Sequence, residues 1–175
     1  MPSKVPVVET PRLRLREHRI ADLDAYNALW ADPVVVQYTV GVPQTPEECW
    51  SRYLRAHGHW AVAGYGYWMV EEKDTGRFVG EVGFADLHRA INPSLDGMPE
   101  AGWIISPAFH GKGYATEAVR AIHEWGYEHF GPVRTCCIIS PENEPSLRVA
   151  QKIGYRDIAQ TIYHDHPVIV LHRDP

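Results

Sequence analysis

The sequence predicts an α/β fold on a mostly antiparallel sheet, and three observations carry that expectation. Short runs that alternate or stay apolar at 12–16, 65–72, 77–87 and 100–105 have the length and period of strands. Longer stretches at 20–30, 45–58, 114–129 and 145–153 place apolar residues at helical spacing. The punctuation between them is turn chemistry, as in Lys73-Asp74-Thr75-Gly76 between the second and third strands. The resulting order is strand, two helices, meander, helix, strand, helix, hairpin, an α/β (α+β) layout.

Each element has its local reason. Arg12-Leu13-Arg14-Leu15-Arg16 alternates as a half-buried strand with charged residues outward. The helix over 20–30 ends at Asp32-Pro33. Thr45 caps the next helix, Pro46 suits its first turn and Glu47-Glu48 complement its dipole. Cys49, Trp50, Tyr53 and Leu54 are expected inward, and Gly58 is expected to stop it. A polar loop at 90–98 precedes the run at 100–105, then a glycine-rich turn opens the helix at 114. The strand at 133–139, the helix closing at Gly154, and the strand pair 156–163 and 168–172 complete the chain. No linker divides residues 1–175, so one domain with a core over about 10–173 is expected.

Composition narrows the function classes. The 175 residues are 45% hydrophobic, with 6 Trp, 9 Tyr and 4 Phe, enough apolar mass for a sizeable core and against low-complexity disorder. A net charge of −5 speaks against a general nucleic-acid binder. No run approaches the ~18 apolar residues of a membrane span. The start, Met1-Pro2-Ser3-Lys4-Val5, lacks the apolar core of a secretory leader. Cys49, Cys136 and Cys137 form neither a disulfide framework nor a zinc spacing, which predicts a reduced, cytoplasmic protein. His164-Asp165-His166 resembles half a metal site but reads as a polar turn, so no metal is expected.

The chemistry concentrates in Trp103-Ile104-Ile105-Ser106-Pro107-Ala108-Phe109-His110-Gly111-Lys112-Gly113-Tyr114-Ala115-Thr116-Glu117-Ala118. A strand runs into glycines that let a ligand approach the backbone, and the first helical turn offers free N–H groups to phosphate. A plain strand-to-helix turn would also use glycines. No G-x-x-x-x-G-K-[ST] is present, and the third glycine of the dinucleotide fingerprint is missing.

At these residues the sequence resembles the GCN5-related N-acetyltransferase (GNAT) superfamily, and more narrowly its RimJ/RimL branch. His110-Gly111-Lys112-Gly113-Tyr114-Ala115 matches the family's Q/R-x-x-G-x-G/A turn apart from His110, and Tyr114-Ala115-Thr116-Glu117-Ala118 is a typical continuation. Asn143-Glu144-Pro145-Ser146-Leu147-Arg148-Val149-Ala150-Gln151-Lys152-Ile153-Gly154-Tyr155 resembles the branch's N-x-x-S…K-x-G-[FY] block, and Glu9-Thr10-Pro11-Arg12-Leu13-Arg14-Leu15-Arg16 its start. The resemblance implies helices on both faces of the sheet and a splayed parallel strand pair, ending near Ile105 and Ile139, that forms an acetyl-CoA cleft. Backbone groups at Ile104 and Ile105 would meet the pantetheine arm, and the N–H groups from His110 to Ala115, with Thr116 beside them, the pyrophosphate. Lys112, with Arg148 or Lys152, would supply cations, against a reading in which Arg148 and Lys152 only solvate a helix face. Asn143 would hold the pantetheine or adenine end, or else only initiate a turn.

Acetyl transfer to an amine needs a base, an oxyanion donor and an acid for the thiolate. The branch commonly has an acid at Glu100, which would act as base through a water, with Glu81 the competitor; a backbone N–H near Ile105 would hold the oxyanion. The tyrosine that many relatives use as acid is replaced by Ala150, leaving Ser146 as the candidate acid or as a capping hydroxyl. Trp60, Tyr65, Tyr67, Trp68 and Trp103 are divided between core and acceptor pocket, and Cys136 and Cys137 show no nucleophile setting. The implied activity is direct acetyl transfer from acetyl-CoA to a primary amine, on a peptide N-terminus or a small molecule, with no nucleic acid or membrane partner. The rival reading is a non-catalytic acyl-CoA sensor or partner-binding domain. The C-terminal hairpin offers an edge for pairing between copies.

Overall fold

The computed structural model describes residues 5–175, so the reading of the first four residues as lacking a leader lies outside the described residues. The chain runs β1 (Val8–Glu9), β2 (Leu13–Arg16), a 3₁₀ turn (Ile20–Asp22), α1 (Leu23–Ala31), α2 (Pro33–Val36) and α3 (Pro46–Ala63). The meander follows as β3 (Tyr67–Glu72), β4 (Phe78–Ala85) and β5 (Glu100–Ile105). After a 3₁₀ turn (Pro107–Phe109) come α4 (Tyr114–Phe130), β6 (Thr135–Ile139), α5 (Glu144–Ile153), β7 (Arg156–Tyr163) and β8 (His166–Arg173). The eight strands form one sheet in the order β1-β2-β3-β4-β5-β6-β8-β7. Every pairing is antiparallel except that of β5 with β6. The mixed, mostly antiparallel sheet with helices on both faces is therefore the fold that the chain adopts.

Strand alternation assigns the two faces. Val82 and Phe84 of β4, Ala101 and Ile105 of β5 and Leu171 of β8 share the main core with Val119 and Ile122 of α4 and Ile153 of α5. On the other face Met69, Phe78 and Ile104 meet Tyr26, Leu29 and Trp30 of α1, Val36 of α2, and Cys49 and Tyr53 of α3. Further along that face, Leu95, Ile91 and Met98 of the loop after β4 cover Cys136, Ile138 and Val170. Among the described residues no helix is long and apolar enough to cross a membrane.

The structure corrects several local expectations. Helix α3 does not stop at Gly58; it runs to Ala63 and closes on left-handed Gly64. Trp60, packed edge-on against Trp68 and Trp125, makes the last turn worth forming. The inward stripe is Cys49, Tyr53, Ala56 and Trp60, while Trp50 and Leu54 are exposed, because the i, i+4, i+7, i+11 positions take the seam and their neighbours lie about 100° around the helix. Pro33 ends α1 but also opens α2, since Asp32 caps it by accepting from the Val34 N–H at 2.9 Å. His164 and Asp165, both at positive φ, form the two-residue turn of the β7–β8 hairpin. Among the described residues no three His, Cys, Asp or Glu side chains gather as a metal site would require.

Two glycines with opposite surroundings give a paired prediction. A Cβ on Gly83 would lie 2.3 Å from the Gly66 carbonyl oxygen, whereas one on Gly58, inside α3, meets open space. Gly83→Ala is expected to cost about 2 kcal/mol or more, and Gly58→Ala to add about 0.5–1 kcal/mol, measured by urea unfolding. Equal effects would contradict the packing described.

A buried chain of hydroxyls gives another. The Tyr155 hydroxyl lies 2.9 Å from both Thr135 Oγ1 and His123 Nε2, and His123 Nδ1–H donates to the Val119 carbonyl at 2.8 Å. With Nδ1 protonated and Nε2 accepting, the ring is neutral, and burial holds its pKa down at about 4. A folded-state pKa below the unfolded value leaves this contribution intact above pH ~6.5 and removes it as pH falls towards 4, on the order of 3 kcal/mol. His123→Leu should flatten the acid limb of the stability profile relative to the parent; an unchanged limb would mean His123 plays no part in it.

Candidate active site

The site begins where two strands part. β5 pairs with β4 along its whole length, from Glu100↔Ala85 to Ile105↔Gly80. β5 and β6 pair only at Glu100↔Cys136, after which their C-terminal halves diverge. The direction of the peptide groups follows. The Ser106 N–H donates to Val79 on β4 at 2.8 Å, and Pro99 accepts from Cys136 on β6 at 3.1 Å. With a period of two, the N–H and C=O groups of Ala101, Trp103 and Ile105 face the gap, and those of Ile104 face β4. The peptide groups of Ile104 are thus engaged with β4, while those of Trp103 and Ile105 face the gap. The Trp103 indole Nε1 is also buried without a hydrogen-bond partner among the described residues.

At the open end stands the glycine turn. Gly111 and Gly113 have φ of 75° and 77°, the left-handed conformation that costs glycine least. Gly113 is the N-cap of α4. The N–H groups of Gly111, Lys112, Gly113, Tyr114, Ala115 and Thr116 donate to no other group among the described residues, the first α4 hydrogen bond being Glu117 N–H to Gly113 at 3.1 Å. His110 departs from expectation: its N–H donates to Pro107 at 3.1 Å, so it is not one of the free donors. Its ring donates through Nε2 to the Ile105 carbonyl at 2.8 Å, tying the turn to the end of β5. Tyr114 is buried and donates to Glu72 at 2.5 Å, so only its backbone faces the turn. Lys112 is half-exposed, its Nζ 3.9 Å from Glu72.

The second block is divided by the structure. The Asn143 side-chain oxygen caps α5, accepting from the Ser146 N–H at 3.3 Å. Ser146 lies one turn before buried Ala150, on the side of α5 that meets the sheet, and its hydroxyl makes no hydrogen bond among the described residues. Arg148 pairs with Glu144 at 3.2 Å on the exposed face. Lys152 sits exposed in the last turn, at the opposite end of α5 from Asn143, where it complements the dipole; the structure does not bring it to the glycine turn.

Two carboxylates lie on the face covered by α1–α3, and both are engaged. Glu81 is enclosed under α1, accepting from Trp30 Nε1 at 3.1 Å and Tyr26 at 3.5 Å, with His18 Nε2 at 3.3 Å. Glu100, at the closed end of the splay, is held by Arg89 through two hydrogen bonds of 2.7 and 2.8 Å. Between them, on the paired Gly83 and Gly102, lies Tyr67: a Cβ on Gly102 would sit 2.1 Å from its hydroxyl. Burial, then Glu100 and Glu81, push the Tyr67 phenol well above its ordinary range, so it stays protonated. Of the aromatic set, Tyr67 and Trp103 thus border the splay, whereas Trp60 and Trp68 are core. Cys136 and Cys137 are buried on opposite faces of β6, and burial, helped by Glu100, pushes the Cys136 thiol up to about 12. Burial keeps both thiols in the protonated form. Glu100 and Ile105 stand five residues apart, about 17 Å along β5, so they cannot serve one reacting carbon. The Trp103 N–H faces the gap in mid-strand, between the two.

The family model described as "Acetyltransferase (GNAT) domain" matches residues 12–156. The chain belongs to this acetyltransferase family. The relative YkkB of Bacillus subtilis (strain 168) is 31% identical over 160 residues, 88% of this chain and 87% of its own. A crystal structure of an acetyltransferase from Agrobacterium tumefaciens str. C58 superimposes with a TM-score of 0.84 at 27% identity, covering 98% of this chain and 96% of that one. RimL, a ribosomal L7/L12 α-N-protein acetyltransferase solved with coenzyme A, shares the fold with a TM-score of 0.77 at 15% identity, over 97% of this chain and 98% of its own. The GNAT chain described here is accordingly an acyltransferase.

The Arg89–Glu100 pair generates a stability prediction. Both side chains are largely buried, so removing one partner strands the other charge. Arg89→Met is expected to cost about 3 kcal/mol, and Arg89→Met/Glu100→Gln less than that, in urea unfolding. A double variant as unstable as the sum of the singles would show that the two do not interact.

Proposed function

We infer that this acetyltransferase takes acetyl-CoA as co-substrate and moves the acetyl group directly to a primary amine, with no covalent enzyme intermediate. The observation that carries the reading is the alignment of the splay with the turn. The gap-facing peptide groups of Trp103 and Ile105 lead to six free N–H groups at the N-terminus of α4. That set suits a ligand with amides along its length and a pyrophosphate at its end. Acetyl-CoA supplies an activated acyl carbon; the chain supplies position, donors and proton traffic.

In this reading the Trp103 N–H steadies the oxyanion, and Glu100, oriented by Arg89, accepts the ammonium proton through a water. The new carbon–nitrogen bond forms as the carbon–sulfur bond breaks. Ser146, whose hydroxyl is unpaired and stands in the first turn of α5, donates to the leaving thiolate and is reprotonated from water. The Glu100 carboxylate, its charge balanced by Arg89, and the Tyr67 hydroxyl offer hydrogen-bond partners to an incoming amine. An α-amine, with pKa roughly 7.7–8.0, asks less of the base than a lysine near 10.4. A RimJ/RimL-like protein N-terminus, or a small-molecule amine of similar basicity, in the cytoplasm, fits that demand.

Calorimetric titration with acetyl-CoA, with ATP as control, tests the cofactor site: one-to-one binding selective for acetyl-CoA is expected. Glu100→Gln and Ser146→Ala should each lower turnover on a panel of amines by about 10²-fold or more while leaving acetyl-CoA affinity within about threefold. Full activity in both variants would refute the assigned roles. Binding without turnover on any amine would favour the acyl-CoA sensor.

A further inference from the structure

The segment between β1 and β2 grips the glycine turn from more than a hundred positions away in sequence. The Arg12 N–H and the Thr10 hydroxyl donate to one oxygen of Glu117 at 2.9 and 2.6 Å. Arg12 Nε and Nη2 each reach the other oxygen at 2.7 Å. Its remaining nitrogen, Nη1, donates to the Lys112 carbonyl at 2.9 Å, and the guanidinium lies 4.6 Å over the Tyr114 ring. The gripping segment is itself fixed, since Lys73 Nζ donates to the Thr10 carbonyl at 2.7 Å and the Lys73 N–H to the Arg12 carbonyl at 2.9 Å.

We propose that Arg12 is a positioning residue for the cofactor's pyrophosphate, which it serves by orienting the Lys112–Gly113 peptide and neutralising Glu117. The inference rests on the cofactor reading above. Two physical arguments lead to it. In a trans peptide the C=O and the following N–H point in opposite directions, so holding the Lys112 carbonyl towards Arg12 turns the Gly113 N–H to the opposite side, where the ligand is expected. Glu117 lies in the first turn of α4, where its carboxylate would repel a pyrophosphate on the free N–H groups. The Arg12 fork takes up that charge. Burial pushes Glu117 up, but the bonds from Thr10 and Arg12 outweigh it and hold the carboxyl below the usual carboxylate range. Glu72 and Lys112, also at the turn, face each other at 3.9 Å, and Arg77 over the Phe109 ring adds a further cation near Glu72.

The test is calorimetric titration with CoA of the parent chain, Arg12→Gln, Arg12→Lys, Glu117→Gln and the double variant Arg12→Gln/Glu117→Gln. Arg12→Gln should raise the Kd for CoA about tenfold, because it frees the carbonyl and exposes the carboxylate. The double variant, lacking that carboxylate, should bind CoA more tightly than Arg12→Gln alone. A clamp that merely stabilised the fold would lower the unfolding temperature and leave the double variant at least as weak. Arg12→Lys keeps the charge without the fork and should fall between the parent and Arg12→Gln; it carries the test if Arg12→Gln does not fold. An Arg12→Gln chain that binds CoA as the parent does, or a double variant no tighter than Arg12→Gln, would overturn this role while leaving the cofactor site intact. A parent chain that binds no CoA would instead overturn the cofactor reading and this role with it.

Discussion

The divergence of β5 from β6 after a single paired position is the constraint from which the rest of the molecule follows. Continuous pairing would close the sheet and use the peptide groups of Trp103 and Ile105 within it. Because β6 turns away after Cys136, those groups remain as an unpaired edge inside the protein, and only a ligand, water or a side chain can satisfy them. His110 takes the outermost carbonyl and so marks where the open edge ends. At the open end the glycine turn and the N-terminus of α4 bring free N–H groups and partial positive charge to one place. Cleft, turn and helix termini are thus consequences of one interrupted ladder.

The acids of this chain are managed by pairing. Glu81 is wrapped by Trp30, Tyr26 and His18, Glu100 by Arg89, Glu117 by Arg12 and Thr10, and Glu72 by Tyr114 with Lys112 nearby. An unpaired buried carboxylate would be strongly destabilising, so each partner is a condition of keeping the acid where it is. Glu117 and Glu72 are answered in this way beside the glycine turn, and Glu100 and Glu81 in the same way on either side of the protonated Tyr67.

Much of this was legible in the residues. Gly111 and Gly113 announced a turn because positive φ is required there whatever surrounds it. Thr45 and Pro46 announced the start of α3, since a cap acts within four residues. The end of α3 was not legible: Gly58 argues locally for a stop, and only the packing of Trp60 on Trp68 and Trp125 overrides it. The site divides in the same way. Its glycines could be named from their motif, but Ile104 and Ile105 could not be told apart, because which peptide faces the gap depends on the register with β4.

What the sequence determined by itself is therefore what acts over a few residues: periodicity, caps, left-handed glycines and the order of elements. The tertiary structure decided which of those residues meet. Arg89 comes to Glu100 across a loop, Tyr67 lies over Gly102 from two strands away, and Arg12 closes on Glu117 from the other end of the chain. No local signal marks such pairs, because a charge or a ring finds its partner through sheet register and helix docking, and these are set only when the whole core is buried.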